Sequence, residues 1–100
     1  MIIVSGELRL KPEGVEKLRP AMRTVITANR QEDGCLLFAF GEDVLEPGVI
    51  HIVERWRDWD ALAAHDRAAH VVAWRAALKE SGAVLGRDLV AHEASNPRPI

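Results

Sequence analysis

The chain has 100 residues, of which 48% are hydrophobic and 28% are charged, and its formal net charge is -2. This length fits a single domain with a thin but sufficient core, and the composition argues against a disordered chain. Its basic residues are scattered among acidic ones. The charge pattern therefore predicts neither a nucleic-acid partner nor binding to an anionic membrane surface.

Three features of the sequence bear on where in the cell the protein is found: its apolar runs, its N-terminus and its cysteine count. The longest apolar run extends only from Cys35 to Phe40, far short of the roughly 18 residues of a membrane-spanning helix. The N-terminus lacks the basic start and small-residue cleavage site of a signal peptide. Cys35 is the only cysteine, which excludes an intrachain disulfide. Together these features predict a cytoplasmic, reduced setting.

The first half of the chain reads as a strand followed by a long helix. Residues 2–10 alternate between an apolar and a mixed face, and Ser5 lies on the mixed face. Apolar residues spaced three and four apart predict an amphipathic helix over residues 13–31. Pro20 interrupts this helix, and we expect a kink rather than a break because the apolar stripe continues in phase. Gly34 supplies the stop in a left-handed conformation.

Two strands should follow. Residues 35–40 are apolar on both faces, so both faces of that strand need a cover. A turn at residues 42–48 leads to a third strand at 49–56. There the period-2 alternation places Glu54 and Trp56 on one face with Ile50 and Ile52.

A helical pattern then extends to about residue 80, with Asp58 as its N-cap and Gly82 at its end. On a continuous helix His65 lies in the middle of an otherwise apolar stripe. His70 then lies about 140° around the helix from His65, which argues against a shared metal ion. The stripe consists of Leu62, His65, Ala69, Val72 and Ala76.

A fourth strand at residues 83–93 completes the order β-α-β-β-α-β. This order predicts an α+β, ferredoxin-like fold: a four-stranded antiparallel sheet with both helices on one face. One domain should span residues 1–94, and residues 95–100 form a polar C-terminal tail. Because the second strand is apolar on both faces, the helix-free face should be covered by another copy, giving a homodimer.

Three motifs carry a resemblance to a known family: Asp-Gly-Cys-Leu at 33–36, Val-Glu-Arg-Trp at 53–56, and His65 nine residues after Trp56. In their order and spacing they resemble the antibiotic biosynthesis monooxygenase family of the dimeric α+β barrel fold. The resemblance implies small homodimers. In some members it implies oxygenation of phenolic polyketides, anthrones or hydroquinols with dioxygen, without metal, flavin or haem.

The candidate site follows from this reading. His65 is the candidate catalytic residue, because imidazole exchanges a proton near neutral pH and a buried base could form the substrate anion. Ser5, Trp56 and Trp74 are the candidate residues for binding a small aromatic substrate. No ligand-spaced histidine cluster indicates a zinc site, and no cofactor is expected.

Each of these residues also has a purely structural explanation. His65 could be a hydrogen-bonded core histidine, and an aromatic residue on a helix is more often part of a core than of a pocket. Two alternatives to the enzyme therefore stay open. One is a ligand-binding or stress-related dimer without catalysis, and the other is a structural dimerisation module. A pocket filled by side chains would favour the last.

Overall fold

The computed structural model describes all 100 residues. Its sheet is antiparallel throughout, in the order β2-β3-β1-β4. The α+β ferredoxin-like prediction is therefore confirmed, with one additional helix. The elements are β1 (Ile2–Leu10), α1 (Pro12–Arg30), β2 (Cys35–Glu42), β3 (Val49–Trp56), α2 (Trp59–Arg67), α3 (Ala69–Ser81) and β4 (Val84–Glu93).

The sheet buries one face under the helices. In β3 the inward side chains Ile50, Ile52, Glu54 and Trp56 are buried, whereas Arg55 between them is exposed. This is the burial expected of an antiparallel sheet with one covered face. Two hydrophobic clusters fill the space below the helices. One is centred on β1, α1 and β3, and a smaller one surrounds Trp56.

Helix α1 forms the main cover of the sheet. Pro12 stands at its first turn and Arg30 at its last, positions that suit the missing donor of proline and the negative end of the helix. Pro20 lies within the helix, which continues unbroken, as predicted. None of the three helices combines the length and the apolarity that a membrane crossing requires.

The helical region after β3 differs from the prediction. A single continuous helix was expected, but the structure has two, separated at Ala68, whose backbone is extended (φ -64°, ψ 140°). The apolar positions of α3 therefore do not continue the apolar face of α2. Val72 is 57% exposed, while Val71 and Leu78 are buried. No glycine or proline marks this break. Only the tertiary packing reveals it.

The outer sheet face carries no helix. Its central row runs across the sheet through Ala39, Val53, Ser5 and Val90, which pair in register. Neighbouring outward positions in β1 and β3 include Glu7 and Arg55, so charged side chains flank this row. The predicted homodimer through this face stays a prediction.

Candidate functional site

A cavity of about 200 Å³ lies between the inner sheet face and the helices. We call it the central cavity. Members of both hydrophobic clusters line it, together with the aromatic rings of Phe38, Phe40 and Trp74. An apolar hollow with a few polar groups is the usual form of a small-molecule site. The polar and charged lining residues are Asn29, Glu54, His65, Asp66, Arg75 and Arg87.

His65 forms part of the cavity wall. It lies in the last turn of α2 and is only 7% exposed. Its ring is held between two aromatic rings, with centroid distances of 4.6 Å to Trp56 and 5.7 Å to Phe38. Its Nδ1 lies 2.9 Å from a carboxylate oxygen of Glu32. This packing fixes the position of the imidazole and leaves it few alternative orientations.

The Glu32 contact also determines which nitrogen of His65 can act on a ligand. An ionised carboxylate only accepts hydrogen bonds, so Nδ1 of His65 carries the proton and donates it to Oε2 of Glu32. The other nitrogen, Nε2, then holds a free lone pair, and it makes no hydrogen bond within the chain. A carboxylate that fixes the tautomer of a histidine is a common arrangement around a general base.

Glu54 brings a buried carboxyl group to the same cavity. It is 6% exposed, and Nε1 of Trp56 donates a hydrogen bond of 2.9 Å to its Oε1. Burial raises the pKa of Glu54 above its ordinary value, and the Trp56 donor offsets part of that rise. Glu54 can thus keep a proton at a pH where an exposed glutamate has lost it, and can donate to a ligand.

Asn29 supplies an amide group with no partner in the protein. It lies in the last turn of α1, is 1% exposed and lines the cavity. Its Oδ1 is buried and makes no hydrogen bond. Leaving a buried polar group unpaired costs about 1–3 kcal/mol. A ligand that hydrogen-bonds to this amide would remove that penalty.

The exposed rim of the cavity is charged. Nη2 of Arg75 donates to Oδ1 of Asp66 at 2.9 Å, which links α3 to α2. Arg87 projects from the edge strand β4, is exposed, and lies close enough to Glu54 to oppose the rise in its pKa. The interior is therefore apolar with three polar groups, and the rim holds two guanidinium groups.

The structure brings together only some of the predicted site residues. His65 and Trp74 line the central cavity, and Trp74 packs on Phe40 with 5.8 Å between ring centroids. Trp56 is fully buried behind His65 and does not line the cavity, so it positions the histidine instead. Ser5 is exposed on the outer sheet face. Since successive strand residues alternate faces, Ser5 cannot reach a ligand in this cavity.

Sequence reasoning missed three polar groups of the site. Asn29 and Glu54 each stand at a position where the helical or strand period calls for an apolar residue, and this was the available signal. Glu32 gives no such signal, because its contact with His65 spans 33 positions of the chain. The site is thus built around a histidine, two carboxyl groups and an amide.

Comparison with known proteins gives consistent results. Residues 1–77 match the sequence model of the antibiotic biosynthesis monooxygenase family. A solved structure of a candidate antibiotic biosynthesis monooxygenase from Deinococcus radiodurans is 34% identical, covers 100% of this chain and 98% of that one, and superposes with a TM-score of 0.91. The Bacillus subtilis protein YcnE, a candidate monooxygenase, is 28% identical over 80% of this chain and 84% of its own length.

A second relative is longer than this chain. The uncharacterized protein sll1783 of Synechocystis is 34% identical over 64 residues, which are 64% of this chain but 44% of that protein. A candidate antibiotic biosynthesis monooxygenase from Nitrosomonas europaea, at 20% identity and a TM-score of 0.86, shows the fold alone.

Proposed function

Because the chain belongs to the antibiotic biosynthesis monooxygenase family, we propose that it is a monooxygenase that needs no cofactor and oxidises a small phenol or hydroquinol with dioxygen. The observation that supports this most strongly is the position of His65, with Nδ1 held by Glu32 and Nε2 free in the wall of an apolar cavity. The open cavity also argues against a purely structural dimerisation module.

The volume of the cavity limits the size of the substrate. An apolar cavity of about 150 Å³ accommodates benzene, and typical sites for drug-sized ligands have about 300–1,000 Å³. At about 200 Å³, the central cavity suits one substituted aromatic ring or a compact pair of fused rings. A three-ring anthrone would need Trp74 or the rim residues to move. We therefore favour a hydroquinol or phenol over an anthrone.

In the proposed reaction the substrate supplies the electrons and the protein supplies a base. Nε2 of His65 accepts the proton of a phenolic hydroxyl, and Glu32 stabilises the resulting imidazolium through Nδ1. The electron-rich anion reduces dioxygen. One oxygen atom enters the product and the other leaves as water with two substrate hydrogens. A dry cavity strengthens these electrostatic interactions and protects reactive intermediates from solvent.

Two further groups would hold the substrate in position. A hydroquinol carries a second oxygen across its ring from the reacting hydroxyl, and the amide of Asn29 and the carboxyl of Glu54 are the available partners. At a pH where Glu54 holds its proton it can donate to this oxygen, which suits the negative charge that spreads over the ring after deprotonation.

Oxygen consumption tests the proposal. Purified protein in EDTA is supplied with hydroquinones and naphthohydroquinones of increasing size, and with an anthrone. We expect uptake above the uncatalysed rate for one- and two-ring substrates and a loss of about 10²- to 10⁴-fold in His65→Ala. The matched control is His51→Ala, which removes an exposed histidine that also pairs with a carboxylate, Asp43.

The possible results separate the candidate functions. Ligand binding without oxygen uptake would make the protein a binder rather than an enzyme. Uptake that His65→Ala leaves unchanged would show that the assigned base is wrong.

We also propose that the working unit is a homodimer formed through the outer sheet face. The row of Ala39, Val53, Ser5 and Val90 lacks a helix above it. A patch of this kind on a small domain favours association. Light scattering at micromolar concentration should give twice 11.1 kDa. A Val90→Glu variant should shift the mass to that of one chain. A wild-type protein that elutes as a clean monomer would refute this proposal.

A further inference from the structure

A second pocket opens on the other side of His65, facing the exterior. We call it the outer pocket; its volume is about 290 Å³. Glu32, His65 and His70 meet there, and one potential metal-ligand atom from each lies within 4.8 Å of the others. This pocket is separate from the central cavity, and only His65 lines both.

The break between α2 and α3 creates this cluster. His65 lies in the last turn of α2 and His70 is the second residue of α3, with the extended residue Ala68 between them. On one continuous helix the two side chains would diverge by about 140°. In the structure they contact the same carboxylate, at 2.9 Å from Nδ1 of His65 and 2.6 Å from Nε2 of His70.

One of these two contacts is not a hydrogen bond. Oε1 of Glu32 and Nε2 of His70 lie at ion-pair distance from each other, but both atoms are buried and their alignment is not that of a hydrogen bond. Buried polar atoms in native proteins are nearly always paired, and an exception calls for an explanation such as a bound ion. A cation coordinated by both atoms would satisfy them at once.

We propose that Glu32, His65 and His70 bind one divalent transition-metal ion, with Zn²⁺ as the reference ion. Two imidazoles and one carboxylate form a ligand set that suits Zn²⁺, Co²⁺ or Ni²⁺ and leaves a fourth coordination position free. Mg²⁺ and Ca²⁺ prefer oxygen ligands and should bind poorly. Asp33 and Asp60 in the same pocket add negative charge. Arg57 is the opposing cation there, and it is engaged by Asp33 and Asp58.

The ion would join three separate segments of the chain: the loop after α1, the end of α2 and the start of α3. Binding should therefore raise the unfolding temperature in proportion to the logarithm of the metal concentration. It would also compete with the role of His65 proposed above. With a metal on Nδ1, the ring proton resides on Nε2, which can then donate but not accept a proton.

Metal binding can be measured without substrate or oxygen. Untagged protein is stripped with EDTA, equilibrated with Zn²⁺ and analysed for bound metal and unfolding temperature. Mg²⁺ serves as the control ion. The variants are His70→Ala and Glu32→Gln, with His51→Ala as the matched control because it removes a histidine–carboxylate pair of 2.7 Å elsewhere on the surface. His70 is 28% exposed, so its loss should leave the fold intact.

We expect one Zn²⁺ per chain in the wild type and in His51→Ala, and affinity weakened by more than about tenfold in His70→Ala and Glu32→Gln. The thermal shift should disappear in the same two variants. If wild type and His70→Ala bind Zn²⁺ equally, or if His51→Ala alone loses it, the proposal is overturned. Because no turnover is measured, failure of the metal site and failure of the oxygenase remain distinguishable.

Discussion

Replacing Trp56 with phenylalanine tests how the site is held in place. The substitution keeps an aromatic ring against His65 but removes the indole N–H, which donates a hydrogen bond of 2.9 Å to Oε1 of Glu54. Trp56 is fully buried, and without its N–H the Oε1 of Glu54 has no donor in the protein. Hydrogen bonds to charged groups contribute about 1.5–3 kcal/mol, and we expect Trp56→Phe to lose that much in addition to a smaller packing loss.

The loss should depend on pH with a definite sign. Burial raises the pKa of Glu54 and the Trp56 donor holds part of that rise back, so the pKa should rise further in Trp56→Phe. The donor stabilises mainly the ionised carboxylate. The deficit of Trp56→Phe relative to wild type should therefore be small at acidic pH, where Glu54 is protonated in both proteins, and grow as the pH rises through the folded-state pKa of Glu54.

Urea unfolding of wild type, Trp56→Phe, Glu54→Gln and the double variant at several pH values measures this directly. The double-mutant cycle isolates the coupling between the two residues. A coupling near zero, or a deficit of Trp56→Phe that is the same at acidic and alkaline pH, would refute the assigned hydrogen bond to a charged group.

Three further predictions concern stability. Wild type should lose stability as the pH rises from about 4.5, the ordinary pKa of glutamate, through the raised folded-state pKa of Glu54. Glu54→Gln should not show this loss. Equal pH profiles of the unfolding free energy for the two proteins would contradict this. Gly6→Ala should destabilise the fold by more than about 2 kcal/mol in thermal unfolding. A Cβ at this position would lie 1.8 Å from the backbone oxygen of Asp88, and the φ of Gly6 is 153°, which residues other than glycine rarely adopt. An unchanged Tm would refute the close approach. Asp58→Ala should cost about 0.5–2 kcal/mol, since Asp58 caps α2 by accepting from the backbone N–H of Ala61; Asp58→Asn should retain most of the stability.

Local periodicity was sufficient to predict most of the fold. The alternation in β3 predicted its bounds at 49–56 and the four residues that share one face, and both are confirmed. Gly34 takes the predicted left-handed conformation, and Asp58 is the predicted N-cap. These features succeed because one face of each element is buried, which imposes a period on the sequence.

The candidate site was less predictable because it depends on contacts between distant segments. Ala68 interrupts the second helical region without a glycine or proline, so the phase of the stripe beyond it could not be read from the sequence. The partner of His65 is Glu32, on a loop whose sequence does not reveal which helix end it meets. Ser5 was assigned to the site although its strand face points away from the cavity.

We propose that His65 promotes oxygenation of a phenol or hydroquinol in the cavity that it lines. The most direct test is mass analysis of the product formed from a naphthohydroquinone under isotopically labelled dioxygen, in EDTA, with wild type and His65→Ala. We expect one labelled oxygen atom in the wild-type product and almost no enzymatic product from His65→Ala. Product oxygen that derives from water, or equal labelled product from both proteins, would contradict it.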